Sequence, residues 1–190
     1  MPRSLLFLII ASILFNVQAQ DISFSRENLT FRIEDSFFYL NGTYFLRNEK
    51  AQSHEVTLFY PFPVDSLYGE VDSIILFNMN SNKEIKEYRT VPKGILFEIR
   101  VDSVTCLHIS YRQKLLGNQA RYILTTTRQW RKPLEEARYQ LLVPQSLQIV
   151  TFSYPPDHME ETDGYTVYFW EKKSFLPGKD LDFTFRKEGP

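Results

Sequence analysis

Period-two alternation constrains this sequence more than any other feature. Leu181, Phe183 and Phe185 fall on one side of their run, with Asp182 and Thr184 on the other. Leu107, Ile109 and Tyr111 alternate in the same way with His108 and Ser110. Such spacing marks strands with one buried and one wet face. Strand-like runs span 29–33, 37–46, 54–60, 71–77, 84–88, 95–100, 105–111, 121–127, 139–143, 148–154, 165–170 and 181–185. Sixteen Phe and eleven Tyr against seven Gly favour the same state, because aromatics suit strands and bury large areas. About twelve short strands joined by turns predict an all-β fold: a β-sandwich, immunoglobulin-like or larger. Asn41-Gly42 is expected to form a tight turn or a bulge, and Pro92-Lys93-Gly94 and Pro177-Gly178 to form turns. Pro61, Pro63, Pro155 and Pro156 end strands, since proline cannot donate to the ladder. The echo between 56–61 and 150–155, closing on Tyr60-Pro61 and Tyr154-Pro155, is of a kind that amphipathic strands produce by chance; the other reading is two related β layers or sub-domains.

The stretch 120–144 stands apart. It reads as a strand over 121–127, a corner, and a second apolar run over 139–143 stopped by Pro144. Pro133 followed by Glu135 and Glu136 predicts one short helical turn there, the only one expected. Arg121, Arg128, Arg131, Lys132 and Arg138 against two glutamates leave the corner locally basic around Trp130. Arginine beside an exposed aromatic suits protein interfaces and sugar platforms, so Trp130, Arg128, Arg131 and Arg121 are the candidate binding residues. The competing expectation is that Trp130 folds inward as a core plug while the arginines solvate the loop.

Residues 1–19 have a cationic start at Arg3, an apolar run from Leu5 to Phe15, and a close on Val17-Gln18-Ala19. That pattern predicts a secretory signal peptide cleaved after Ala19; the run is short for a membrane span. Residues 20–190 are expected to form a single sandwich domain, exported to the periplasm, the cell envelope or the outside, with no stable membrane span. Any division would fall near Gly117-Asn118. Without Arg3 the chain carries 21 basic against 23 acidic residues, which argues against nucleic-acid binding. Cys106 is the one cysteine, so no internal disulfide can form.

The run 41–65 resembles the opening of vault-type inter-alpha-trypsin-like domains and related exported β-sandwich domains: strand, Asn-containing turn, strand, then an aromatic-Pro-aromatic-Pro stop. The matching residues are Asn48, Tyr60, Pro61, Phe62 and Pro63, within a likeness covering 37–111. The resemblance implies a β-sandwich used for interaction, without catalysis. The stretch 120–144 and the closing Phe175-Leu176-Pro177 are similar to an uncharacterised exported family, which implies no activity.

Reaction chemistry finds little support. His54, His108 and His158 show no ligand spacing, so no metal site is expected. The acidic loop 157–163 offers oxygens for calcium but lacks an EF-hand pattern, and a solvated turn explains it. Cys106 and His108 share a strand face, yet nothing supplies an orienting group or an oxyanion site. Glu135-Glu136 cannot flank a glycosidic bond from opposite sides. No phosphate loop, nucleophile elbow or cofactor motif occurs, so no cofactor is expected. Asn28-Leu29-Thr30 and Asn41-Gly42-Thr43 match the glycosylation acceptor pattern, which matters only in a eukaryotic secretory pathway. The expected function is therefore non-enzymatic contact with a protein partner; carbohydrate binding through Trp130 is the alternative, and a hydrolase using His108 the third reading.

Overall fold

The structure, a computed structural model, describes residues 22–130 and 132–187. It is an all-β, sandwich-like fold. Its strands are β1 (Ile22–Glu34), β2 (Phe37–Asn48), β3 (His54–Pro61), β4 (Tyr68–Asn78), β5 (Lys83–Glu84), β6 (Tyr88–Val91) and β7 (Gly94–Val101). They continue as β8 (Val104–Leu115), β9 (Gln119–Tyr122), β10 (Leu134–Pro144), β11 (Leu147–Phe152), β12 (His158–Thr162), β13 (Tyr165–Phe175) and β14 (Leu181–Lys187). One sheet has eight strands in the order β12-β13-β10-β1-β2-β8-β4-β5. Two three-stranded sheets, β11-β14-β9 and β3-β7-β6, cover it. The sandwich is thus larger than an immunoglobulin domain, which has seven to nine strands.

Alternation places the core. On β1, Glu27, Leu29, Phe31 and Ile33 point inward while Asn28, Thr30 and Arg32 point out. On β2 the inward set is Phe38, Leu40, Gly42, Tyr44 and Leu46. Phe31 meets Phe183 of β14 and Tyr122 of β9, with ring centroids 5.9 and 5.4 Å apart. Tyr60 of β3 meets Tyr44 and Tyr111 of the large sheet at 5.8 and 6.0 Å. Both small sheets therefore lie on one face of the large sheet, and one core cluster runs from Ile22 to Phe185.

β1 and β2 join through Asp35 and Ser36, whose φ values of 49° and 64° make a left-handed two-residue turn suited to a right-twisted hairpin. The Asn41-Gly42 turn does not exist. Both residues lie within β2, and Gly42 makes room for Leu29 and Tyr44, whose atoms would stand 2.7 and 2.8 Å from an added Cβ. The strands are also longer than the short runs predicted, β1 reaching 13 residues. The run 84–88 divides between β5 and β6, and the acidic segment forms β12 in a hairpin with β13.

The helical turn near Pro133 is overturned as well. Leu134–Pro144 is strand, paired in parallel with β1 and antiparallel with β13, and those two ladders override local helix signals. A 3-10 turn occurs instead at Thr125–Trp130, where a strand over 121–127 was expected. Asp180 fixes it: Oδ1 accepts from the amides of Leu124 and Thr125, both 3.0 Å, and from the Thr125 hydroxyl at 2.8 Å. β9 ends at Tyr122 for that reason.

The aromatic-Pro stop has a packing role. Tyr60 and Phe62 are buried against Tyr111, and the Phe62 amide donates to the Lys93 carbonyl at 2.9 Å. Gly94 sits where β7 passes this stop. An added Cβ would stand 2.1 Å from the Tyr60 carbonyl oxygen and 3.0 Å from the Pro61 Cα, both backbone atoms that cannot swing away. Gly94→Ala is expected to destabilise the fold by about 3 kcal/mol in urea unfolding. Gly178→Ala meets nothing within 4 Å and should stay within about 0.5 kcal/mol of the parent.

Candidate functional site

The residues singled out at the corner do not form one surface. Trp130 is half-buried and meets Phe24 edge-on, with centroids 5.0 Å apart. Arg121 turns to Asp182, its Nε donating to Oδ1 at 2.5 Å. Arg128 is exposed at the end of the 3-10 turn. Arg131 lies outside the described residues. The corner is tied to its neighbours by Lys132–Glu49 at 2.5 Å and by Arg47–Glu135, while Arg138 reaches Glu136 at 2.6 Å. Among the described residues, Arg121, Lys132 and Arg138 are thus each matched by a carboxylate.

The larger unassigned surface is the second face of the eight-stranded sheet, which neither small sheet covers. Register lines its residues up across strands. Arg32 stands opposite Tyr39, Tyr39 opposite Arg112, and Arg112 opposite Asp72. Arg26 stands opposite Phe45, and Phe45 opposite Cys106. Three guanidinium groups lie over rings: Arg26 over Phe45 at 4.3 Å, Arg32 over Tyr39 at 4.7 Å, and Arg112 over Phe37 at 4.6 Å. Each such contact contributes about 0.5–1 kcal/mol at an exposed site. Arg112 also grips Asp72 with two bonds, 2.5 and 3.1 Å, and that grip holds the Asp72 carboxyl below its usual range. Phe37, Tyr39, Phe45, Phe77 and Phe169 all remain half-exposed. Flat rings flanked by planar cations offer both dispersion and polar contact to a partner. This face was legible in part: the outward parity of β1 and β2 follows from their alternation, but which strands lie side by side does not.

Inside the sandwich sits a group that sequence reasoning passed over. Glu27 is 1% exposed. Tyr139 donates to its Oε1, and the Tyr122 hydroxyl stands 3.5 Å from Oε2. Tyr122 continues to Tyr44 at 3.2 Å, and Tyr44 to Tyr60 at 2.7 Å. Burial raises the Glu27 carboxyl to about 7, against the pull of its two tyrosine bonds. The four phenols are likewise pushed up by burial and stay neutral. The available signal was parity: counting back from Leu29 in steps of two puts Glu27 on the inward side.

The other chemical candidates are weak. Burial raises the Cys106 thiol, with Arg26 pulling the other way, and its sulfur stands 3.5 Å from the Met79 sulfur. Burial lowers His108, which favours neutral imidazole. Among the described residues no three His, Cys, Asp or Glu side chains come together as metal ligands. Asp157 of the acidic segment bonds Lys172 Nζ at 2.7 and 2.9 Å. Among the described residues, one open groove of about 840 Å³ is lined by residues such as Thr57, Ile85, Tyr88, Arg89 and Glu98, and another of about 760 Å³ by residues such as Glu34, Leu116, Pro144 and Phe185.

No family model matches the sequence. No curated protein matches it. Among solved structures the chain is similar to a Legionella pneumophila protein provisionally described as a nutrient binding protein. The TM-score is 0.71 at 11% identity, and the match covers 87% of this chain and 67% of that one. At this identity the likeness is one of fold.

The Asp180 cap gives a test of how the corner is held. Asp180→Ala should cost about 1–2 kcal/mol. It should also raise acrylamide quenching of Trp130, measured with Trp170→Phe as background.

Proposed function

We propose that this chain is an exported binding module without catalytic activity, working by contact with a protein partner at the cell envelope or outside the cell. The observation that carries the reading is the uncovered face of the large sheet, where half-exposed rings lie under arginines. Interfaces are enriched in such aromatic and arginine residues. The leader-like start at 1–19, outside the described residues, supports export. The likeness of 37–111 to vault-type interaction domains supports contact without chemistry. The fold shared with a provisionally described nutrient binding protein is compatible with a binding role. The carbohydrate reading, with Trp130 as platform and Arg121, Arg128 and Arg131 around it, is the less favoured, because the indole is partly covered by Phe24.

The test compares the tagged chain, the double variant Tyr39→Ser/Phe45→Ser, and Trp130→Ala. Each is used for pull-down from the native envelope fraction and on a glycan array. The expected result is one protein partner retained by the parent and by Trp130→Ala, held at least about tenfold more weakly by the double variant, with no glycan bound. Glycan binding abolished by Trp130→Ala would replace this reading with the sugar platform. Undiminished capture by a folded double variant would remove the sheet face from the account.

A further inference from the structure

Strands from all three sheets meet at a buried carboxyl, Glu27, the one acidic side chain among the buried residues. Glu27 of β1 faces Tyr139 of β10 and Tyr122 of β9, and the chain of hydroxyls continues to Tyr44 of β2 and Tyr60 of β3. Tyr111 of β8 packs its ring on Tyr60. Among the described residues no basic side chain bonds the carboxyl; its partners are phenols alone. Its register partner on β10 is Ala137, whose small side chain leaves room for the carboxyl under Tyr139.

We propose that this cluster is a proton-controlled clamp, holding the two covering sheets on the large sheet while Glu27 is protonated and loosening them when it ionises. In the protonated state one oxygen accepts from Tyr139, and the other, carrying the proton, donates to Tyr122. Tyr122 then donates to Tyr44 and Tyr44 to Tyr60, so each hydroxyl in the chain has one direction. Loss of the proton leaves a buried anion with two phenol donors and no cation. Tyr122 must then turn its proton toward the carboxylate, which reverses or breaks the links to Tyr44 and Tyr60. β9 and β3 each reach the cluster through a single tyrosine, so both covering sheets feel the change.

The sign follows from where the proton is held more tightly. Burial lifts the folded carboxyl to about 7 from an ordinary value of 4.5. Its contribution to stability is complete below the lower value and is lost as pH rises through the upper one. Between pH 6 and 8 this group alone should raise the unfolding constant about tenfold. His108 sits on the opposite face of the sheet, and its titration is common to parent and variant.

The experiment measures urea unfolding from pH 5 to 9 for the full chain and for Glu27→Gln. It also follows amide exchange of β3, β9 and β14 by mass spectrometry at pH 6 and 8, corrected for the intrinsic pH dependence of exchange. The expected result is that the parent loses stability toward pH 8 and exchanges faster in those strands, and that Glu27→Gln loses both effects. A pH dependence unchanged in Glu27→Gln would overturn the clamp. If that variant does not fold, carbon-13 NMR of the Glu27 carboxyl in the parent decides. A midpoint near 7 supports the proposal, and one below about 5 overturns it.

Discussion

The parallel pairing of β1 with β10 is the contact on which the rest of the structure depends. Residues Arg26 to Arg32 run alongside Glu136 to Leu142 in unbroken register. Parallel neighbours cannot be joined by a tight turn, so this pairing closes a loop spanning most of the chain. Without it the large sheet would separate into β12-β13-β10 and β1-β2-β8-β4-β5. With it, the inward residues of both parts form one surface, and both small sheets rest on a common floor. The same register sets Glu27 beside Ala137 and two residues along the ladder from Tyr139, on the same face, which is why a carboxyl fits inside at all.

The pairing also gives the large sheet two faces of different character. The inner face carries Phe31, Phe38, Leu40, Tyr139 and Leu141, fully covered. The outer face carries arginines, half-exposed rings and short polar side chains such as Thr30, Asn41 and Ser110. Salt links on that face, Arg112–Asp72 and Arg32–Glu34 among them, are solvent-facing and add little to stability. They do hold the guanidinium planes in place over the rings. A flat face with ordered planar groups loses little conformational freedom when something lies down on it.

Alternation made the fold class and most strand positions legible, because a residue's burial on a strand follows from counting by two. Lengths and partners were not legible, since register is written in contacts between distant segments. Pro133-Leu134-Glu135-Glu136 looked helical by local signals, and only the ladders on both sides make it a strand. The 3-10 turn depends on Asp180, a residue more than fifty positions away from the amides it caps. β12 was hidden by its charges: His158, Glu160 and Glu161 are tolerated because they sit on an exposed edge strand, where charge discourages further pairing. Trp130 drew attention by type, whereas Glu27 was readable by parity and went unread because its strand begins seven residues before Leu29.

The two-sidedness of the large sheet underlies both the partner face and the buried cluster, and hydroxyl-radical footprinting read at single residues tests it most directly. Phe37 and Phe38 are chain neighbours on β2 that point to opposite faces. Phe37, Tyr39 and Phe45 should oxidise readily in the free protein, with Phe38, Phe31 and Tyr139 protected until the chain is unfolded. Equal labelling of Phe37 and Phe38, or protection of the whole outward set, would contradict it.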